Sequence, residues 1–152
     1  MKPGRCTDRI ERTRSVEREY QIARMASAAL SKDLMHNSQL LTATGLREVD
    51  RLNHQSKLES TYLIRLFAEF ETGLRDYWAR CLNKPEEARV RDMIESIAAR
   101  CRIADPMKTN CHRVRQYRNR LVHAEDLDAP HMELGEARRS LCRFFGFLSP
   151  DW

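Results

Sequence analysis

The sequence predicts an all-α domain, a bundle of four to five main helices, on three observations. Apolar residues recur at spacings of three and four through most of the chain, which is the period of a helix that buries one face. Five glycines and five prolines provide little turn material for an all-β fold. No segment alternates between apolar and polar residues as a half-buried strand does.

The length of 152 residues corresponds to one domain that is large enough to bury a proper core. We divide it into an N-terminal helical extension over residues 1–50 and a core over residues 51–150. Residues 1–14 are charged and lack the apolar segment of a signal peptide, and no apolar run of about 18 residues occurs that would cross a membrane. We therefore expect a cytoplasmic protein without a membrane partner.

The cysteines are odd in number and show no C-x-x-C spacing, and four of them occupy apolar positions in helical patterns. This usage indicates buried thiols in a reducing compartment rather than a disulfide framework or a zinc site. The five residues are Cys6, Cys81, Cys101, Cys111 and Cys142.

The first half of the chain predicts two long helices. The first spans about residues 7–34, and its opening carries closely spaced charges of both signs, Arg9 among them, which is typical of a solvated face. A weaker segment over about residues 38–49 is interrupted by Gly45. The strongest periodicity, over about residues 52–82, marks the core helix. The apolar seams are Val16, Tyr20, Ala23, Leu30 and Leu34, and then Leu58, Tyr62, Leu63, Leu66, Phe67, Phe70, Leu74, Tyr77, Trp78 and Cys81.

Three shorter helices are predicted to follow. Pro85 with two acids after it begins one of them, and Asp105 with Pro106 begins the next as N-cap and first helical residue. That helix runs to about residue 125, a turn covers residues 126–130, and a last helix spans about residues 131–148. The seams are Val90, Met93, Ile94, Ile97, Ala98 and Cys101, and then Leu134, Ala137, Leu141, Phe144, Phe145 and Leu148.

Arg118 breaks the pattern of the helix that begins near Asp105. It lies at the centre of that helix's apolar stripe, where an aliphatic residue belongs, and a guanidinium buried without a partner costs several kcal/mol or more. Asn119 and His123 share an adjacent face at i, i+4. The stripe consists of Met107, Cys111, Val114, Leu121 and Val122. An arginine, an amide and an imidazole so close together can bind and act on a phosphodiester.

The surrounding charge favours the same chemistry. Of the 27 basic residues 22 are arginine, whose planar fork suits phosphate, although a GC-rich genome gives the same bias. Near Arg118 the basic side chains are opposed only by Asp105, which is an electrostatic footprint suited to nucleic acid. They are Arg100, Arg102, Lys108, Arg113, Arg115, Arg118 and Arg120.

A structural interpretation of the same residues remains open. Arg118 is then a core arginine held by Glu71 or another carboxylate, and His123 is a helix C-terminal cap that interacts with the macrodipole. Glu71 itself is either this partner, beside the stripe of the core helix, or a surface glutamate.

Residues 118–123 match R-N-x-x-x-H, and residues 66–75 are similar to F-x-x-F-E-x-x-L-R. Together they resemble the HEPN domain family, over roughly residues 58–148. The resemblance implies an all-α homodimer with two motifs in one cleft, and a metal-independent endoribonuclease without cofactors, of the kind found in toxin–antitoxin and antiviral defence systems. It also implies a hydrolase that acts through attack of the ribose 2′-hydroxyl on the adjacent phosphorus.

The residues can take the roles that this chemistry needs. His123 provides acid–base catalysis near neutral pH, Arg118 binds the phosphate, and Asn119 orients the imidazole or a phosphate oxygen. Arg113, Arg115 and Arg120 are the expected contacts to the RNA backbone. On one regular helix Arg118 and His123 point about 140° apart. A distorted last turn or, better, a second subunit across a two-fold axis resolves this difficulty.

The chain departs from one branch of the family. The branch paired with nucleotidyltransferase antitoxins has a tyrosine two positions after the histidine, where this chain has Glu125. We therefore expect no silencing by modification of that residue, although an antitoxin or defence partner protein stays open. The alternative functions are a non-catalytic helical module that binds RNA or protein, and a structural dimer without a nucleic-acid role.

Overall fold

The computed structural model describes residues 6–84, 87–123 and 126–150. These residues form five α-helices and one short 3-10 turn, without a strand, which confirms the predicted all-α bundle. The elements are α1 (Cys6–His36), the 3-10 turn Thr42–Thr44, α2 (Glu48–Cys81), α3 (Val90–Arg100), α4 (Asp105–Val122) and α5 (Leu134–Phe145).

Helices α1 and α2 form a long antiparallel hairpin, which side-chain contacts hold at three levels along its length. Arg9 pairs with Asp76, Glu19 with Arg65, and Ser31 with Arg51. Only the first half of α1 packs into the core, because the three shorter helices do not reach the far end of the hairpin. The predicted seam therefore holds at Val16 and Tyr20 but fails at Leu30, which is exposed.

The core forms around α2, which contacts each of the other four helices. The ring of Phe70 lies 4.9 Å from that of Phe145 and 5.7 Å from that of Phe144. Gly73 allows this approach, since a Cβ added there would lie 2.5 Å from the Phe145 ring. The whole predicted face of α5 is buried, including Leu148 beyond the helix end.

Helix α4 is shorter than predicted. Its N-cap is Ala104, with Asp105 and Pro106 in the first turn, and it ends at Val122. His123 is the C-cap in extended backbone, and Glu125 lies outside the described residues. No buried side chain follows Leu121 in the described part of this segment, so tertiary packing does not support another turn.

Two further details differ from the prediction. Helix α3 begins at Val90, while Pro85, at which its start was predicted, lies outside the described residues. In the described residues no disulfide joins the five cysteines, and Cys81 is exposed at the end of α2 rather than buried. Within the described ranges, no helix is both long and apolar enough to span a bilayer.

Candidate active site

A cleft of about 550 Å³ lies where the first turn of α3 faces the last turns of α4. Its described lining contains four arginines and one carboxylate, so this part of the cleft is strongly cationic. The aromatic ring of Phe67 from α2 contributes an apolar surface. The lining residues are Phe67, Arg89, Val90, Arg91, Arg115, Arg118, Asn119 and Asp126.

Arg118 lies over Phe67, with the guanidinium carbon 5.6 Å from the ring centroid. Its Nη1 donates to Asn119 Oδ1 at 3.2 Å, while its Nε is buried and no protein group of the described chain accepts from it. The buried face of α4 is rotated relative to the predicted apolar stripe, as the buried Tyr117 and the exposed Val122 show. Arg118 therefore lies at the edge of the apolar stripe and not at its centre.

Of the two interpretations of Glu71, a surface glutamate or the partner of Arg118, the structure does not show the ion pair with Arg118. Glu71 accepts instead from Arg75, with Nη2 2.7 Å from Oε1. Arg75 lies one turn further along α2 and takes the carboxylate, whereas Arg118 meets α2 at Phe67, one turn before Glu71. Arg118 consequently has no carboxylate partner in the described part of the chain.

Asn119 is held from both sides. Its Oδ1 accepts from Arg118, and its Nδ2 donates to Asp126 Oδ2 at 3.2 Å. Asp126 adopts a left-handed backbone with φ 52°, which aspartate and asparagine tolerate better than most residues. The amide thus holds the arginine rather than an imidazole. Sequence reasoning assigned Asp126 only to a turn and missed this contact.

His123 is exposed and is not among the described residues that line the cleft. Its backbone N–H donates to Asn119 O at 2.7 Å, which closes the last turn of α4. Because the helix ends before His123, the 140° separation of a regular helix no longer applies. Within one chain the structure brings Arg118 and Asn119 together, and it places the imidazole outside the cleft.

The three arginines that were predicted to contact the RNA backbone lie on two different faces of α4. Arg115 lines the cleft, and its Nε is buried without an acceptor in the described chain. Arg113 instead approaches Glu136 of α5 at 3.8 Å, and Arg120 donates to Ala129 O. At about 100° per residue, positions 113 and 120 lie opposite position 118, whereas position 115 lies near it.

Two arginines of the cleft were missed by sequence reasoning. Arg89 and Arg91 enter it from the start of α3, far from the motif in sequence, and no spacing rule connects them to Arg118. In the described ranges, no group of three or more histidine, cysteine or acidic side chains is placed to hold a metal ion.

Comparisons with known proteins add no relative. No protein-family model, curated protein or solved structure matches this chain. The resemblance to HEPN domains therefore rests on residues 66–75 and 118–123.

Proposed function

We propose that this chain is a metal-independent endoribonuclease of the HEPN type, and that Arg118 binds the phosphate at which RNA is cut. The observation that supports this proposal is that the Arg118 guanidinium lines a cationic cleft and has no carboxylate partner in the described part of the chain. A phosphate oxygen in the cleft would supply the charged acceptor that the described chain does not provide. A toxin or defence role is what the family resemblance implies.

The reaction needs one proton removed and one supplied. The ribose 2′-hydroxyl loses its proton to a base and bonds to the adjacent phosphorus, and the bond to the 5′-oxygen breaks. The products are a 2′,3′-cyclic phosphate and a 5′-hydroxyl, which receives a proton. His123 performs this proton transfer, and Arg118 neutralises charge that builds on the phosphate oxygens.

The proposal includes a homodimer, because one chain leaves the imidazole outside the cleft. His123 of a second copy, related by a two-fold axis, would face Arg118 of the first. Exposed apolar side chains support an interface here: Val122 precedes His123, and Leu127 follows it shortly afterwards, with exposed fractions of 41% and 66%. Such side chains are suited to burial between two copies.

A complementation experiment tests both parts of the proposal. Arg118→Met and His123→Ala are purified separately, and each is expected to remain folded at the assay temperature and to produce no cyclic-phosphate ends from single-stranded RNA. After subunit exchange, an equimolar mixture should recover about a quarter of wild-type activity, since half of the dimers carry one complete site of two.

The controls separate the two parts. Full activity of His123→Ala alone would exclude His123 from proton transfer and, with it, the HEPN-type mechanism. An inactive mixture, with both single variants inactive and dimeric, would show that the site forms within one chain.

A non-catalytic RNA-binding module is the second candidate. The four arginines of the cleft favour it, because they can bind RNA phosphates without a histidine in the cleft. It predicts binding with a steep salt dependence and no cyclic-phosphate ends from the wild-type protein. Failure to bind RNA at low salt would favour a structural role.

A further inference from the structure

The first turn of α3 forms a second side of the cleft. Arg89 is the N-cap, Val90 and Arg91 are the first helical residues, and all three line the cleft. The Arg89 side chain makes no capping hydrogen bond. The first N–H groups of a helix have no acceptor within it and carry a partial positive charge, so this terminus is suited to an anion.

The arginines of the cleft have no carboxylate partner among the described residues, and they lie together. In the described chain eight arginines have a carboxylate oxygen within 4.0 Å. The four in the cleft have none there, as is true of several others, but these four converge on one cavity. The one acid in the cleft, Asp126, is hydrogen-bonded to Asn119. The described lining thus carries four cations against one carboxylate, and none of the four forms an ion pair with it.

These cations come from two separate elements. Arg115 and Arg118 belong to α4 and have buried Nε atoms, while Arg89 and Arg91 belong to the start of α3 and are exposed. The volume of about 550 Å³ lies in the range of sites for small organic ligands, which is more than one phosphate group needs. Two anionic groups of one ligand therefore match the arrangement better than one.

We propose that the cleft binds two phosphates of one RNA strand, one at Arg118 and Arg115 and the other at Arg89, Arg91 and the N-terminus of α3. This inference rests on the proposed function, since it takes the phosphate at Arg118 to be that of RNA. It adds a substrate-binding surface outside the R-N-x-x-x-H segment. The strand then crosses the cleft from α4 to α3.

The test measures binding without cleavage. A fluorescent single-stranded 2′-O-methyl RNA, which lacks the attacking hydroxyl, is titrated by anisotropy between about 50 and 200 mM salt. The test variant is Arg89→Gln with Arg91→Gln. The matched control is Arg139→Gln with Arg143→Gln, which removes the same charge from exposed positions on α5.

Each phosphate contact with single-stranded nucleic acid contributes about −0.7 to the slope of log K against log salt. Because Arg89 and Arg91 share one phosphate, their variant should reduce the magnitude of the slope by about 0.7, and the α5 control should leave it unchanged. Equal slopes for the two double variants would overturn the inference. All four side chains are exposed, so circular dichroism is expected to show the wild-type fold.

The cleavage assay separates this inference from the proposed function. If wild-type protein leaves RNA uncut while the Arg89 and Arg91 variant lowers the slope, the catalytic proposal fails and the two-phosphate inference stands. If Arg118→Met abolishes cleavage while the α3 variant keeps the wild-type slope, the inference fails alone. A wild-type protein that does not bind RNA overturns both.

Discussion

Arg9 and Arg118 each interrupt an apolar helix face in the described chain, and the protein accommodates them in opposite ways. Arg9 lies on the buried face of α1 with Thr13 and Val16 and is only 7% exposed. It forms an ion pair with Asp76 of α2. Arg118 lies at the edge of the buried face of α4, rests on the Phe67 ring, and faces a cleft.

The difference distinguishes a structural arginine from a ligand-binding one. Burial lowers the pKa of Arg9, and the charge of Arg12 lowers it further, so the cation requires the carboxylate opposite it. Arg118 has no such carboxylate in the described chain, and its position beside open space lets an external anion take that place. An apolar helix face alone does not separate the two cases.

The largest effect should be the difference in unfolding free energy between two single variants, Arg9→Met and Arg118→Met. Removing one member of a buried pair costs about 3–5 kcal/mol, and because Asp76 is 29% exposed we expect Arg9→Met to lose about 2–3 kcal/mol of unfolding free energy. Arg118→Met should lose only about 1 kcal/mol, since one hydrogen bond and one partly exposed cation–π contact each contribute about 0.5 kcal/mol at the low end of their ranges. Chemical denaturation monitored by circular dichroism measures both.

Cleavage should show the reverse order. Arg118→Met should lose a factor of about 100 or more, as for other donors to a charged transition state, while folded Arg9→Met keeps wild-type activity. Equal losses of stability in the two variants would show that Arg118 is structural after all.

Asp126→Asn should give a smaller effect on the cleft alone. Asparagine tolerates the left-handed backbone of this position, but it removes the charged acceptor of the Asn119 amide. A charge-assisted hydrogen bond is about twice as strong as a neutral one, so cleavage should fall about fivefold. Binding of uncleavable RNA should tighten, because the cleft loses its carboxylate.

Asp128→Asn provides the control for that substitution, since Asp128 is an exposed acid nearby that does not line the cleft. An equal gain in RNA affinity in both variants would show that net charge, and not the position of Asp126 in the cleft, causes the gain. Unchanged cleavage by Asp126→Asn would show that the orientation of Asn119 is unimportant.

Burial could be predicted from the sequence wherever other helices cover the whole apolar face of a helix. Every predicted seam residue of α5 is buried, because α1, α2 and α4 all pack against that helix. The seam of α1 has the same period, yet Leu30 is exposed because no short helix extends that far. Periodicity specifies which side chains share a face, but the lengths of other elements decide whether that face is covered.

The candidate site was predictable only where its residues share one helix. An α-helix rotates by about 100° per residue, which places Arg115, Arg118 and Asn119 on neighbouring parts of its surface. The structure brings these three residues into one cleft. Arg89 and Asp126 reach the same cleft from other segments, which only the tertiary fold brings together. The end of α4 at Val122 also depends on packing, and it changes where His123 lies.

Glu71→Gln should have the smallest effect, and it tests whether Arg118 lacks a partner within the chain. Glu71 binds Arg75 on the same helix, and such a pair contributes about 0.3–0.5 kcal/mol. We therefore expect a loss of that size in denaturation, with unchanged cleavage and unchanged RNA affinity. A large loss of activity would mean that Glu71 positions Arg118 in solution, and the contrast with the Arg9–Asp76 pair would then disappear.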